Sequence, residues 1–103
     1  MRRVVYSLTF HQQLRDLLDH GLSHFGATII AAKRDRVRQT IELILAAHPN
    51  IKRPHAALGL TVYPISGTPF VVLYSFDDAE LCVHFIFHKH ASLEDLDPKS
   101  ANW

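Results

Sequence analysis

The sequence predicts an α+β fold: an N-terminal strand, an antiparallel helical hairpin and a three-stranded antiparallel meander, with the helices on one face of the sheet. Two observations lead to this prediction. Up to about residue 48, apolar residues recur at three- and four-residue steps, which is the period of an amphipathic helix. Beyond residue 57, the period shortens to two, in three runs separated by four-residue turn segments.

The length and composition indicate one small globular domain. A chain of 103 residues has room for one domain, so we take residues 1–103 as a single domain. Hydrophobic residues make up 48% of the chain, which excludes a disordered protein, and the net charge of +1 excludes a polyelectrolyte-like nucleic-acid coat. The single cysteine, Cys82, forms no disulfide within the chain. Because no apolar run reaches bilayer length and no signal-peptide core follows Met1, we expect a cytoplasmic protein without membrane contact.

The first half of the chain predicts a strand followed by a helix. Residues 3–9 are rich in β-branched and aromatic side chains, as strands are. Thr9 and Gln12 have the spacing of a capping box, so we expect an amphipathic helix over residues 10–25. Gly26 then ends this helix.

The next segment predicts a second helix, which returns antiparallel to the first. Thr28 can cap it, and Pro49 ends it because the residue before a proline is disfavoured in the α conformation. The connection to the first helix is short, so the two helices form a hairpin. A weaker capping pattern predicts a final helical turn over residues 93–96. The predicted elements after the first helix are a helix over 28–48 and strands over 58–65, 70–76 and 81–88.

The predicted sheet has no polar face. Alternation along the last strand places two sets of side chains on opposite faces: Leu81, Val83, Phe85 and Phe87 on one, and Cys82, His84, Ile86 and His88 on the other. A helical hairpin covers only one face, so we expect apolar surface on the second face to remain open for a partner. We expect the first strand to pair at one edge of this sheet.

The histidines near the end of the chain do not predict a metal site. Strand positions four apart, such as His84 and His88, are separated by about 13 Å, which is too far for one ion. His88 and His90 are close enough to share a metal, but no third ligand is evident. No glycine-rich phosphate loop is present either, so we expect neither a metal nor a cofactor.

A ribonuclease would need a base, an acid and cations that stabilise the phosphate. Only one lysine or arginine, Lys89, lies between Pro54 and Pro98, whereas an RNA-binding sheet face normally carries several. This shortage favours a binding protein without catalytic residues over an enzyme. If the chain is a ribonuclease, its candidate catalytic residues are Tyr63, Tyr74, His84, His88 and Lys89, with Arg53 from the preceding loop.

A basic stretch lies within the predicted second helix. It consists of Lys33, Arg34, Arg36 and Arg38. Such a stretch is typical of the solvated side of an amphipathic helix, but it is also compatible with a nucleic-acid patch. Arginines pair well with carboxylates, so an acidic partner protein is a third interpretation.

Four stretches of the sequence, taken in order, resemble the RelE/ParE superfamily of bacterial type II toxins. They are the strand-to-helix segment 5–10, the end of the basic helix at 46–49, the strand pair 59–76, and the last strand with its histidines, 83–90. The resemblance covers about residues 3–98. It implies a plasmid-stabilisation toxin that inhibits growth and is neutralised by an antitoxin in a hetero-oligomer.

The branch of the superfamily determines the implied target. RelE-like members cut messenger RNA on the ribosome with a basic cluster on the sheet, whereas ParE-like members lack that cluster and poison DNA gyrase. Many relatives end the last strand with His-x-Arg, where this chain has His88, Lys89 and His90, so the ParE-like side is favoured. A non-toxic binding module with the same fold is a third alternative. The candidate partner-binding residues are Lys33, Arg34, Arg36, Arg38, Tyr74, His84 and His88.

Overall fold

The computed structural model describes residues 1–103, which form a four-stranded sheet and a helical hairpin. The elements are β1 (Arg3–Tyr6), α1 (Leu8–Phe25), α2 (Ala27–Gln39), a π-helical segment (Thr40–Leu45), β2 (Thr61–Pro64), β3 (Phe70–Phe76) and β4 (Glu80–His88). The predicted α+β architecture is therefore confirmed. None of the helices combines the length and the apolar character that crossing a bilayer requires.

The strands follow the order β1-β4-β3-β2 across the sheet. The last three strands form the predicted antiparallel meander, and β1 lies parallel to β4 at the edge of the sheet. Two arginines at the start of the chain bind residues at and after the turn between β3 and β4. Arg3 forms an ion pair with Glu80, and Nε of Arg2 donates a hydrogen bond to the carbonyl of Asp77. The sequence left the position of β1 open, and these contacts help to fix it beside β4.

A β-bulge in β4 changes which side chains share a face. Leu73 pairs with Phe85, but the next residue, Tyr74, pairs with Val83, so His84 is an extra residue in β4. The simple alternation predicted for this strand is therefore wrong beyond His84. Two sets result: Leu81, Val83 and Ile86 pack in the core beneath the helices, while Phe85 and Phe87 lie on the opposite face.

Helix α1 begins earlier than predicted, because Ser7 caps it in place of Thr9. Oγ of the buried Ser7 accepts a hydrogen bond of 2.8 Å from the backbone N–H of Phe10 and donates one of 2.6 Å to the carbonyl of His84. The carbonyl of Asn102 accepts from the N–H groups of Leu8 and Thr9. The first turn of α1 thus has its free donors satisfied by its own cap and by the end of the chain.

The hairpin turns at Gly26, whose φ of 84° favours glycine, and α2 starts directly after it. The predicted cap, Thr28, therefore lies inside the helix and does not cap it. Near this turn the two helices approach closely, since a Cβ at Gly21 would lie 2.5 Å from Cδ1 of Ile30. The predicted second helix, 28–48, is divided in the structure into α2 and the π-helical segment, where the N–H of Ala46 donates to the carbonyl of Ile41.

Both faces of the sheet are covered by the chain itself. The first face packs on the helices, with Phe10, Val37, Ile41 and Leu45 above Val72 and other strand residues. The second face packs against the loop before β2 and against residues 91–103, which we call the C-terminal strap. The covering residues are Leu58 and Leu60 from the loop and Leu93, Leu96 and Ala101 from the strap.

The expectation of an open second face is therefore wrong. Leu73, on that face, is 0% exposed, and Phe85 is 2% exposed. The predicted helical turn over 93–96 does not form a helix. This part of the strap has only an isolated hydrogen-bonded turn within an otherwise irregular segment. An irregular segment can follow the sheet surface and place widely spaced apolar side chains on it, which a helix of one turn does not do.

Candidate functional site

An open groove lies between α1 and α2. The groove encloses about 510 Å³, and its charged groups are Arg15, Asp19 and Arg34, with His11 at one end. Its apolar lining consists of Leu14, Leu18, Leu22, Ala27, Ile30 and Ala31. At the tip of the hairpin, Leu22 of this lining is 48% exposed, and two further apolar side chains, Phe25 and Ile29, are 59% and 48% exposed. The sequence predicts exposed apolar surface on the sheet, but in the structure this exposed apolar surface lies on the helices.

A second cavity of about 340 Å³ continues the groove toward β1. His11, Leu14 and Arg34 line both spaces, so the two form one path along the hairpin. At the far end, Tyr6 and Glu42 form part of the wall. Burial, and then the negative charge of Glu42, raise the pKa of Tyr6 to about 12, so its hydroxyl stays protonated and can donate a hydrogen bond.

The four cations of the basic stretch do not form one patch. Arg34 lines the groove, whereas Nε of Arg36 donates to the carbonyl of Ser66 in the turn between β2 and β3. Arg38 is paired with Glu42 at 2.8 Å. Lys33 lines a different pocket at the other side of α2. Residues on an α-helix advance by about 100° each, so nearly consecutive cations point in several directions.

Two predicted site residues are tyrosines that belong to the core beneath the helices. Tyr74 is 0% exposed, and its hydroxyl donates a 2.7 Å hydrogen bond to the carbonyl of Pro49. Burial raises the pKa of Tyr74 to about 12. Its prediction as a partner contact and as a catalytic candidate is therefore wrong for this structure. Tyr63 is half-buried against the same core.

His84 is half-buried at the bulge of β4. Nε2 of His84 lies 2.8 Å from Oγ of Ser75, and the Trp103 ring meets the imidazole edge to face at 4.8 Å between ring centres. Its Nδ1 is buried and has no hydrogen-bond partner. Burial lowers the pKa of His84 below 6.5, which favours a neutral ring. This histidine is covered by the strap and is not presented to a large substrate.

The remaining candidates are exposed. His88 and Lys89 lie at the end of β4, and Arg53 lies in the loop before β2. The structure thus separates the six nuclease candidates into a buried tyrosine, a half-buried tyrosine, a covered histidine and three exposed side chains. It shows no assembled acid, base and cation around one point.

His88 contributes to a pocket that sequence reasoning missed. This pocket encloses about 360 Å³ between the hairpin and the ends of β3 and β4. Its polar lining residues are His20 and His24 from α1, Lys33 from α2 and His88 from β4, and we call it the histidine pocket. The i, i+4 spacing of His20 and His24 places both rings on one side of α1, and this spacing was visible in the sequence.

The structure contains no group of three or more His, Cys, Asp or Glu side chains arranged to hold a metal ion. Cys82 is half-buried, and burial raises the pKa of its thiol, so the reactive thiolate is disfavoured.

No protein-family model and no curated protein sequence matches this chain. Six chains of solved structures match it, and one of these is from a chromosomal ParDE TA system of P. aeruginosa. The superposition gives a TM-score of 0.71 and covers 85% of this chain and 96% of that chain, at 18% sequence identity. This chain therefore has the fold of a chain from a ParDE TA system.

On this fold, the open groove and the histidine pocket lie on either side of the helical hairpin. Ile30 lines both, since it sits between the helices. The sheet contributes to the histidine pocket through Pro69, Phe70 and His88 but contributes nothing to the groove. The hairpin is therefore the element that positions both candidate sites.

Proposed function

We propose that this protein is the cytoplasmic toxin of a type II toxin–antitoxin module of the plasmid-stabilisation kind. It inhibits growth by binding and poisoning DNA gyrase, and a cognate antitoxin neutralises it. The observation that carries the proposal is the match in fold to a chain of a ParDE system over 96% of that chain. A fold alone does not specify a function, so residues of this chain must support the choice of target.

The choice of gyrase over messenger RNA is supported by the state of the nuclease candidates. Tyr74 is engaged in the core and His84 lies under Trp103, so neither is available to exchange a proton with RNA. Lys89 is the only lysine or arginine between Pro54 and Pro98. A toxin that acts by binding needs no such constellation, because the energy of a protein interface comes from a few buried contacts.

The proposed antitoxin segment is an acidic amphipathic helix that occupies the groove between α1 and α2. Its apolar side chains would cover Leu18 and Leu22, and its carboxylates would pair with Arg15 and Arg34. Arg15 has no ion pair within this chain, and Arg34 has only a loose exposed contact of 3.9 Å to Asp35. Both guanidinium groups are therefore free to donate hydrogen bonds to the carboxylates of a partner.

The target is tested by inducing the protein in bacterial cells and comparing it with the double variant His88→Ala, Lys89→Ala. We expect filamentous cells with a DNA-damage response and continuing translation, and we expect the double variant to stay toxic. Purified protein should inhibit supercoiling by DNA gyrase in the same way for both forms. Rapid arrest of translation with cleaved messages, relieved by the double variant, would contradict gyrase poisoning and favour the RelE-like ribonuclease.

The antitoxin groove is tested with two substitutions at exposed leucines. Leu22→Asp places a carboxylate in the groove, whereas the matched control Leu43→Asp lies on the π-helical segment, outside it. We expect Leu22→Asp to weaken binding of the co-encoded antitoxin by about 100-fold, because it replaces an apolar contact with a charge, and Leu43→Asp to change it little. Equal affinities in an isothermal titration would show that the antitoxin binds elsewhere.

A further inference from the structure

The histidine pocket collects basic side chains from three elements and no acidic ones. His20 and His24 come from α1, Lys33 from α2 and His88 from β4, with the ring of His90 beside His88 at 5.2 Å between centres. The start of β3 contributes only Pro69 and Phe70, and no carboxylate lines the pocket. Lys33 is half-buried and forms no ion pair within the chain. A partly desolvated cation without a counter-charge favours an anion as its neighbour.

The hydrogen-bonding state of His88 also suits an anion. Nδ1 of His88 accepts a 3.2 Å hydrogen bond from the backbone N–H of His90. The proton of the neutral ring must then be on Nε2, which makes that atom a donor. His20 and His24 lie side by side, with ring centres 4.7 Å apart, and line the same space. The imidazoles are not arranged as a metal site, so a cation does not explain this grouping.

The rest of the pocket is apolar and is large enough for a small organic molecule. Leu17, Phe25 and Ile30 contribute apolar walls from the hairpin, and Pro69 and Phe70 contribute them from the sheet. The volume of about 360 Å³ lies in the range of small-molecule sites. A flat ring can pack against such walls, while an oxyanion attached to it meets the basic side chains.

We propose that the histidine pocket binds a small molecule in which an oxyanion is attached to a flat aromatic ring. A nucleoside monophosphate and an aromatic carboxylic acid are two sources of this chemistry. The ring lies against the apolar walls, and the oxyanion accepts hydrogen bonds from Lys33 and from the histidines. This site is independent of the proposed toxin function, because it lies on the other side of the hairpin from the groove.

The test is a titration of the full-length protein, followed through the histidine ring resonances in NMR spectra. The probes are adenosine monophosphate, benzoate, inorganic phosphate and adenosine. We expect the rings of His20, His24 and His88 to shift with adenosine monophosphate or benzoate, while the ring of His55, in the loop before β2, does not move. Whichever of these two probes binds more tightly identifies the oxyanion.

Variants separate the pocket from nonspecific association. Lys33→Gln and the double variant His20→Gln, His24→Gln should each weaken binding by about tenfold, the effect of losing one charge-assisted hydrogen bond. His55→Gln is the matched control and should change nothing. The proposal is overturned if no probe shifts the pocket histidines at millimolar concentration, or if adenosine binds as well as its monophosphate. It is also overturned if inorganic phosphate binds as tightly as the aromatic anions, or if the pocket variants bind as the wild type does.

Discussion

The sheet and the helical hairpin differ in how completely the chain covers their apolar side chains. The sheet is buried on both faces, by the helices on one and by the loop before β2 and the C-terminal strap on the other. The hairpin is buried only on the side that faces the sheet, and it leaves a groove and three exposed apolar side chains near its tip. The sheet is thus the stable part of the molecule, and the hairpin carries the surface that a partner can cover.

This difference shows that an apolar face is not by itself a binding surface. Both faces of the predicted sheet were apolar, and the sequence suggested that a partner covers the second one. In the structure, Leu93, Leu96 and Ala101 of the strap cover that face within the same chain. Residual apolar area is found on α1 and α2, where no other part of the chain lies above the groove.

The largest expected effect is on the free energy of unfolding, and it distinguishes a buried side chain of the sheet from an exposed one of the hairpin. Phe85→Ala should lower the free energy of unfolding by about 3–5 kcal/mol, because it leaves a cavity between the sheet and its cover. Leu22→Ala, at a position 48% exposed in the hairpin groove, should cost less than about 1 kcal/mol. Urea unfolding followed by circular dichroism measures both, and similar losses would contradict the distinction between sheet and hairpin.

The second prediction concerns the strap. The double variant Leu93→Ala, Leu96→Ala should lower the free energy of unfolding by about 1–3 kcal/mol, since both side chains are only partly buried. Hydrogen exchange of the backbone amides of Leu73 and Phe85 should also be faster in this double variant. Asp95→Ala, an exposed position in the same segment, is the matched control and should leave stability unchanged. Unchanged exchange in the double variant would mean that the strap does not protect the second face.

The third prediction tests the two helix starts. Ser7→Ala should destabilise the protein by about 1–2 kcal/mol, because the N–H of Phe10 then loses its cap. Thr28→Ala should change the free energy of unfolding by less than about 0.5 kcal/mol, since Thr28 lies inside α2 and caps nothing. Thermal unfolding of both variants measures this difference. A larger loss for Thr28→Ala would favour the start of α2 predicted from the sequence.

The smallest expected effect is a pH dependence at His84. Its pKa is lowered by burial, so the unfolded chain binds a proton at this residue more readily than the folded chain does. Stability is therefore lost as the pH falls from 6.5 toward the folded-state pKa of His84. Trp103→Ala uncovers the ring and should raise its pKa toward 6.5, which an NMR titration measures directly. A pKa that is unchanged in this variant would show that Trp103 does not desolvate the histidine.

The fold could be predicted because the change of hydrophobic period separates helices from strands. The bulge could not be predicted. The extra residue at His84 exchanges the faces on which Phe85 and Ile86 lie, and both faces of the sheet are apolar, so the pattern does not reveal the exchange. Ser7 and Thr9 are both good cap residues, and only the contact of Ser7 with the carbonyl of His84 decides between them. These errors share one cause, because each depends on a contact between residues that are far apart in the sequence.

The candidate site was harder to predict than the fold. The basic stretch was correctly placed on the second helix, but the sequence does not show that Arg36 and Arg38 are engaged within the chain. Tyr74 alternates onto the helix-facing side of β3, where it is buried. The spacing of His20 and His24 places both rings on one side of α1, but the sequence does not show that His88 at the end of β4 lies beside them.

The two ends of the chain depend on each other. The N–H of Asn102 donates to Oγ1 of Thr9, a contact that spans 93 positions, and Ser7 reaches His84 across 77. Because β1 also has its strand partner only in β4, residues 3–6 have no stable place until residues 80–83 are available. Contacts of such long range slow folding, since the loop must close before the contacts repay its entropy. The order of synthesis therefore leaves β1 without its strand partner until β4 has been made.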